Sequence, residues 1–369
     1  MKVKAAVLRE VNKPYTIEEL ELAPPKEKEV LVKYAYTGYC HSDLSIMQGG
    51  IIETMPKVVG HECAGVVEAV GPGVTKAQVG DHVVSTWMVP CGECYTCREG
   101  FGNVCMGNFE NFAAGVLLDG TSRYTDKDGK TVQHNSFVSG FSSYSVVPED
   151  GVIPIRKDFP LEYAALMACC IPTGWGTVTN IAKVQPGDSV AVWGMGGVGL
   201  NILRAAKMRQ ANPIIAVDLE PEREAIAREF GATHFICNDG TDPVPIIKGL
   251  TRGGADVIFE AIGNPGAIVQ AWWALAALGK LVIAGVMRHD EAAVLPLQLL
   301  PFHQKSILGG LYGSISTHND IPKLVDLAMT GEMKLDKLVA GKFKLEDIND
   351  IAERMAKRRL TGRWVCEWD

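Results

Sequence analysis

The sequence predicts an α/β plus all-β protein, with a β-rich N-terminal domain followed by a doubly wound parallel sheet. Three observations carry the prediction. Short Val/Ala runs broken by Gly and Pro fill residues 1–90, the mark of strands joined by tight turns. From residue 161, short buried β runs alternate with amphipathic helical patterns, the mark of a parallel sheet covered on both faces. After residue 311 that alternation stops. The expected domains are 1–170, with 312–369 returning to it, and 171–311.

In chain order, EVLVKYAYTGYC and GHECAGVVEAVGPGV each read as strand then turn, with Gly71, Pro72, Gly73, Gly80 and Asp81 in the turns. A cysteine-rich run and an irregular stretch from Asn108 to Phe137 follow, and a strand begins near Ser142. PLEYAALMACCIPTGWGTVTNIA reads as helix, break, helix. The alternating region is SVAVWG, a helix from Gly199 to Arg209, PIIAVD, a helix from Glu222 to Phe230, THFICN, ADVIFEAIG and KLVIAGV. DIPKLVDLAMTGEM and LEDINDIAERMAKRRL are amphipathic helices, and GRWVCEW closes the chain as a strand.

The 369 residues suffice for two cores. Lys+Arg 36 against Asp+Glu 43 gives a net charge of -7, and the densest basic run is Lys357, Arg358 and Arg359. Phosphate binding needs a basic face, so no nucleic-acid partner is expected. The opening MKVKAAVLRE lacks the apolar region of a signal peptide, and no apolar run approaches a membrane span. A cytoplasmic protein with no membrane partner is expected. Its ten cysteines then read as metal ligands and buried thiols.

Cys91, Cys94, Cys97 and Cys105 spell C-x2-C-x2-C-x7-C. Four thiolates packed this closely close a tetrahedral shell around one zinc ion and leave no open position. This is a structural site, and the chemistry lies elsewhere. A disulfide cluster is the competing reading, and an intracellular chain disfavours it.

The strand SVAVW runs into Gly194-Met195-Gly196-Gly197-Val198-Gly199, a G-x-G-x-x-G turn that opens a helix. Asp218 ends the next strand, nineteen residues beyond Gly199. In this context the glycines let the backbone approach a pyrophosphate at the helix N-terminus. Asp218 accepts the adenosine ribose hydroxyls and repels a 2′-phosphate, so NAD is favoured over NADP. Arg223 is a candidate for the adenosine side.

A second set of ligands is spread over the chain. Cys40 and His61 each follow a predicted strand, and Cys169 or Cys170 supplies another thiol. Two sulfurs and one imidazole leave a fourth position free, the definition of a catalytic zinc site. Asp43 is placed to accept the far N–H of His61, Glu62 adjoins His61, and Ser42 is a hydroxyl placed to take a proton from a bound alcohol.

The chain resembles the zinc-dependent alcohol dehydrogenases of the medium-chain dehydrogenase/reductase superfamily over essentially its full length. GHECAGVVEAVGPGV matches the zinc signature, with Gly60, His61, Glu62, Gly65, Gly71 and Val74 in register; the four-cysteine lobe, GMGGVG and VDLEPER follow in family order. The resemblance implies a GroES-like catalytic domain, a Rossmann NAD-binding domain, an active site in the cleft between them, and two zinc ions per chain. It selects Cys169 as the third catalytic ligand, because the family's ligand stands four residues before a Thr-Gly pair, here Thr173-Gly174. Ser42 matches the proton-relay hydroxyl, and His41 and Arg363 match cationic pyrophosphate contacts. Val198 and Val286 match apolar residues behind the nicotinamide, and Thr173 falls on the cofactor side. Trp87, Val104, Phe137 and Leu311 match the substrate pocket. Ser45 stands where the liver-type members end their relay in a histidine. The implied activity is reversible NAD-linked oxidation of a hydrophobic primary or secondary alcohol, by a homodimer or homotetramer. The alternatives are a polyol or thiol-adduct dehydrogenase on the same scaffold, or a non-catalytic redox or structural protein. The adduct enzyme needs a basic patch that the sequence does not reveal.

Overall fold

The computed structural model describes residues 1–369. The chain divides into two compact units: Met1–Cys169 with Ser316–Asp369, and Cys170–Ile315.

The first unit is built on two sheets. One has the order Lys57–Val58, Lys2–Leu8, Thr16–Leu22, Tyr124–Thr125, Thr131–Val132. The other runs Val152–Ile155, His82–Ser85, Glu62–Val70, Glu29–Gly38, Arg363–Glu367, Val339–Phe343, with Tyr144–Pro148 also paired to Glu29–Gly38. Glu29–Gly38 shows why this region reads as β. Val30, Val32 and Tyr34 pack with Cys63, Val67 and Val83 in one core, while Leu31 packs with Val3, Val7, Leu20 and Tyr124 in another. Successive side chains therefore face opposite cores, the two-residue period of a strand buried on both sides. The closing strand Arg363–Glu367 pairs antiparallel with Tyr36–Gly38, which returns the C-terminus to this unit.

The second unit is a six-stranded parallel sheet in the order His234–Cys237, Ile214–Asp218, Val190–Trp193, Ala255–Glu260, Leu275–Ile283, Ser306–Gly309. Val190–Trp193 is buried along its whole length, as a central strand covered by helices must be. The sequence runs outward to either side of the pair Val190–Trp193 and Ala255–Glu260, which makes that pair the switch point where ligands enter such sheets.

Two local expectations are corrected. The helix after the glycine turn spans Gly197–Met208, beginning two residues early because the last two glycines of the motif already form its first turn. The stretch from Asn108 to Phe137 is not irregular throughout. It holds the helix Phe109–Ala114, stopped by Gly115 at φ 71°, a left-handed position glycine adopts at little cost.

Gly65 faces Tyr34 across the long strand pair, and a Cβ there would stand 2.0 Å from the Lys33 carbonyl oxygen. Gly65→Ala forces the two strands apart. It should cost about 1–3 kcal/mol, the range for overpacking, seen as a lower thermal midpoint; an unchanged midpoint would contradict this contact.

Candidate active site and metal centres

The site is assembled at the end of Glu29–Gly38 and the start of Glu62–Val70. Cys40 is the N-cap of the helix His41–Met47, and Asp43 closes its first turn. The fully buried Asp43 carboxylate does two jobs. One oxygen accepts the Cys40 N–H at 3.0 Å, and the other lies 3.1 Å from His61 Nδ1. With Nδ1–H donated to Asp43, the imidazole keeps the lone pair of Nε2 for a metal.

The ligand atoms of Cys40, His61, Glu62 and Cys169 lie within 4.8 Å of one another. Cys169, at φ -150° and ψ -76°, ends a short 3-10 turn, and Cys170 begins the next helix. The sulfur that joins the group is that of Cys169. The Cys40 thiol is held well below its usual range by its hydrogen bond to Cys169, against burial, with Arg363 and His61 adding to the effect. A readily ionised thiolate, a second thiol and an imidazole oriented by a carboxylate suit a zinc ion with one position to spare. Glu62 is fully buried, and burial first, offset by Arg363, pushes its carboxyl up to about 7. Arg363, 5% exposed, places Nη2 3.1 Å from Glu62 Oε1 without hydrogen-bond alignment and 3.5 Å from Cys40 Sγ. Its guanidinium therefore rests on the metal-site carboxylate.

Ser42 Oγ stands 3.8 Å from Cys40 Sγ. His41 is exposed at the first turn of the same helix, and Ser45 is half-buried one turn on. The Trp87 ring meets the His61 ring edge-on, 6.4 Å between centroids at 85°. Behind it Phe112 lies 6.3 Å from Trp87 and 6.1 Å from Phe137. Phe112 was not among the expected pocket residues; the i, i+3 spacing of Phe109 and Phe112 was the signal for it, and those two rings stack at 6.3 Å. Val104 lies in the metal lobe, where its carbonyl accepts from Thr96. Leu311 and Val286 belong to the second unit and are 39% and 55% exposed.

The four lobe sulfurs, Cys91, Cys94, Cys97 and Cys105, also lie within 4.8 Å of one another. The Cys94 N–H donates to Cys91 Sγ and the Cys91 N–H to Cys105 Sγ, both at 3.3 Å. The Thr96 hydroxyl, first, and the Cys97 N–H bring the Cys94 thiol down to about 5. Four thiols with donors aimed at their sulfurs fit a closed zinc shell.

In the second unit, Gly194 takes φ 93°, and Gly196 caps the helix that Gly197, Val198 and Gly199 open. A Cβ on Gly199 would stand 1.8 Å from the Gly194 carbonyl oxygen, so only glycine closes this turn. Asp218 Oδ2 accepts the Met195 N–H at 2.6 Å and lies 3.1 Å from Arg223 Nη1, while Oδ1 accepts the Glu220 N–H at 3.1 Å. The acid at the end of the second strand is thus tied directly to the glycine turn. Thr173 is buried in the helix Cys170–Gly176, which packs against the Gly197–Met208 helix.

Residues 26–157 match the alcohol dehydrogenase GroES-like domain and residues 197–330 the zinc-binding dehydrogenase domain. The chain is 39% identical over 360 residues to an S-(hydroxymethyl)glutathione dehydrogenase from Synechocystis sp., covering 96% of this chain and 97% of that one. It belongs to the zinc-dependent alcohol dehydrogenases of the medium-chain dehydrogenase/reductase superfamily. Among solved structures, an alcohol dehydrogenase zinc-binding domain protein from Burkholderia ambifaria superposes with TM-score 0.94 at 36% identity, covering 100% of this chain and 99% of that one. Benzyl alcohol dehydrogenase from Acinetobacter calcoaceticus gives TM-score 0.93 at 34% identity, covering 100% of both. The protein is a zinc-binding oxidoreductase acting on CH–OH groups, with the GroES-like and Rossmann folds of that family. No helix is long and apolar enough to cross a membrane.

Asp43→Asn removes the charge that orients His61. Zinc affinity at Cys40, His61 and Cys169 should fall about 10–100-fold, while the four-cysteine lobe keeps its ion. Metal analysis after graded chelation should show one ion lost before the other, and equal loss from both sites would refute the assignment.

Proposed function

We propose that the enzyme oxidises an aromatic primary alcohol to the aldehyde, reversibly and with NAD. The observation that carries the substrate class is the Trp87 ring set edge-on against His61, with Phe112 and Phe137 behind it. Offset and edge-to-face aromatic contacts favour a flat aromatic ring over a polyol. A glutathione adduct carries carboxylates that need basic partners, and no Lys, Arg or His occurs between Arg98 and Arg123, the segment that holds Phe109 and Phe112. The resemblance to a benzyl alcohol dehydrogenase supports the same choice.

Cys40, His61 and Cys169 would hold the catalytic ion and Cys91, Cys94, Cys97 and Cys105 the structural one. The chemistry that zinc supplies when bound is polarisation of a hydroxyl oxygen, and that of NAD is acceptance of a hydride. Asp43 fixes the imidazole, the Trp87 ring covers its edge, and the Ser42 hydroxyl would relay the alcohol's proton, accepting it while handing its own hydrogen on to water. Asp218 and the glycine turn hold the adenosine half, and the carboxylate charge selects NAD over NADP. The Ser306–Gly309 strand is the edge of its sheet, and Leu278 on the strand paired with it and Phe302 on the helix just before it are 71% and 81% exposed. An open edge with apolar neighbours invites a second copy, and a homodimer paired there is part of the proposal. Ten cysteines, none of them in a disulfide, suit a reducing cytoplasm.

The test is an initial-rate screen of NADH formation across benzylic, linear, terpenoid and cyclic alcohols, with and without a zinc chelator. Benzylic alcohols should give the highest kcat/KM, turnover should stop with the chelator, and Cys40→Ala should abolish it. Trp87→Ala should lower the benzylic kcat/KM at least about tenfold, as loss of one ring contact and its buried area implies, and change linear alcohols less. Equal losses on both classes would overturn the aromatic assignment.

A further inference from the structure

Glu260 is the last residue of the strand Ala255–Glu260 and is fully buried at the switch point of the parallel sheet, beside Trp193. Nothing in the zinc chemistry uses it. Its carboxylate turns back on its own loop. Oε1 accepts the N–H of Ile262 at 2.9 Å and of Gly263 at 2.8 Å, and Oε2 lies 3.1 Å from the Gly263 nitrogen. Asn264 N–H points to the same group at 3.4 Å. The backbone carbonyl of Glu260 accepts from Ala284 and Gly285 at 2.8 and 2.9 Å, and Ala261 N–H donates to the Trp193 carbonyl at 3.0 Å. The peptide unit between Glu260 and Ala261 therefore joins the carboxyl ends of three adjacent strands, and the Glu260 side chain braces the loop that leaves it.

The loop it holds is wedged on both sides. A Cβ on Gly194, the first glycine of the phosphate turn, would stand 2.6 Å from Ile262 Cγ1. A Cβ on Gly263 would stand 2.3 Å from the Val286 carbonyl oxygen, and one on Gly285 2.1 Å from the Gly263 nitrogen. Ile262 is 44% and Val286 55% exposed, so this narrow pile of backbone presents two apolar side chains at the open end of the sheet. Backbone N–H groups without a partner there would cost the loop its shape. A carboxylate that accepts several of them fixes it without reaching outward.

We propose that Glu260 is a positioning residue for the dinucleotide: it sets the 261–264 loop and, through it, the spacing between the glycine turn and Val286. The inference rests on the dinucleotide reading given above. Glu260→Gln keeps size but replaces one acceptor oxygen with a donor that faces N–H groups. Glu260→Asp keeps the charge and shortens the reach.

The experiment has two arms. Hydrogen exchange of the 262–264 amides in the cofactor-free protein should rise about tenfold or more in Glu260→Gln and recover in part in Glu260→Asp, as expected when a charge-assisted bond is lost. Titration with NADH, followed by tryptophan fluorescence, should show about a tenfold weaker Kd in Glu260→Gln. Zinc content, kcat at saturating NAD and KM for the alcohol should stay within about twofold of the parent. A folded Glu260→Gln with parental loop exchange and parental Kd overturns the inference while leaving the dehydrogenase reading intact. A rise in alcohol KM parallel to that for NAD overturns it too, because the effect would then be general loosening. A parent chain that binds no NADH would remove the dinucleotide reading and this inference with it.

Discussion

The catalytic metal site hangs on one carboxylate. Asp43 is fully buried and accepts from the Cys40 N–H while orienting the His61 ring. A buried charge is costly unless it is paired and hydrogen-bonded. Here the cost is offset by partners that are themselves a ligand and a ligand's backbone. The same residue closes the first turn of the helix that carries Ser42. Local helix capping and metal geometry are thus one constraint, and the strand ends at Gly38 and Glu62 are held in register around it, paired directly with each other.

The glycine turn repeats this economy in the second unit. Asp218 accepts from the Met195 N–H within the turn, so the acid expected to bind ribose also braces the backbone expected to cradle phosphate. Arg223 beside it offsets part of its charge. In both units a carboxylate binds backbone and chemistry together, and Glu260 extends the pattern to the loop beyond the switch point.

Much of this was legible in the sequence, for reasons that differ by residue. The four lobe cysteines could be read directly, because a closed zinc shell demands close spacing. The glycine turn could be read because Gly194 takes a left-handed φ of 93° and a Cβ on Gly199 would stand 1.8 Å from the Gly194 carbonyl oxygen. Cys40, His61 and Cys169 are far apart in the chain, so spacing could not single them out; their places after predicted strands suggested the set, and the family resemblance chose Cys169 over Cys170. Phe112 was signalled only by its i, i+3 spacing from Phe109, which a helix of six residues, Phe109–Ala114, in a stretch rich in turn formers repeats too few times to stand out. Arg363 was legible as a cation near the site, but not its place over Glu62, because pairing between the closing strand and residues 36–38 is a long-range outcome. Glu260 was silent for another reason. A carboxylate that serves its own loop's backbone has no partner side chain to form a pattern with.

The two metal sites differ in how much chain they enclose. The lobe ligands all fall between Cys91 and Cys105, whereas the catalytic ligands span Cys40 to Cys169. Closing a longer loop costs more chain entropy and waits for more of the fold. During synthesis the lobe can capture its ion as soon as Cys105 emerges, before the residues that supply Cys169 exist. Chain order therefore favours loading the lobe first, as part of folding, with the catalytic set complete only once Cys169 has been made.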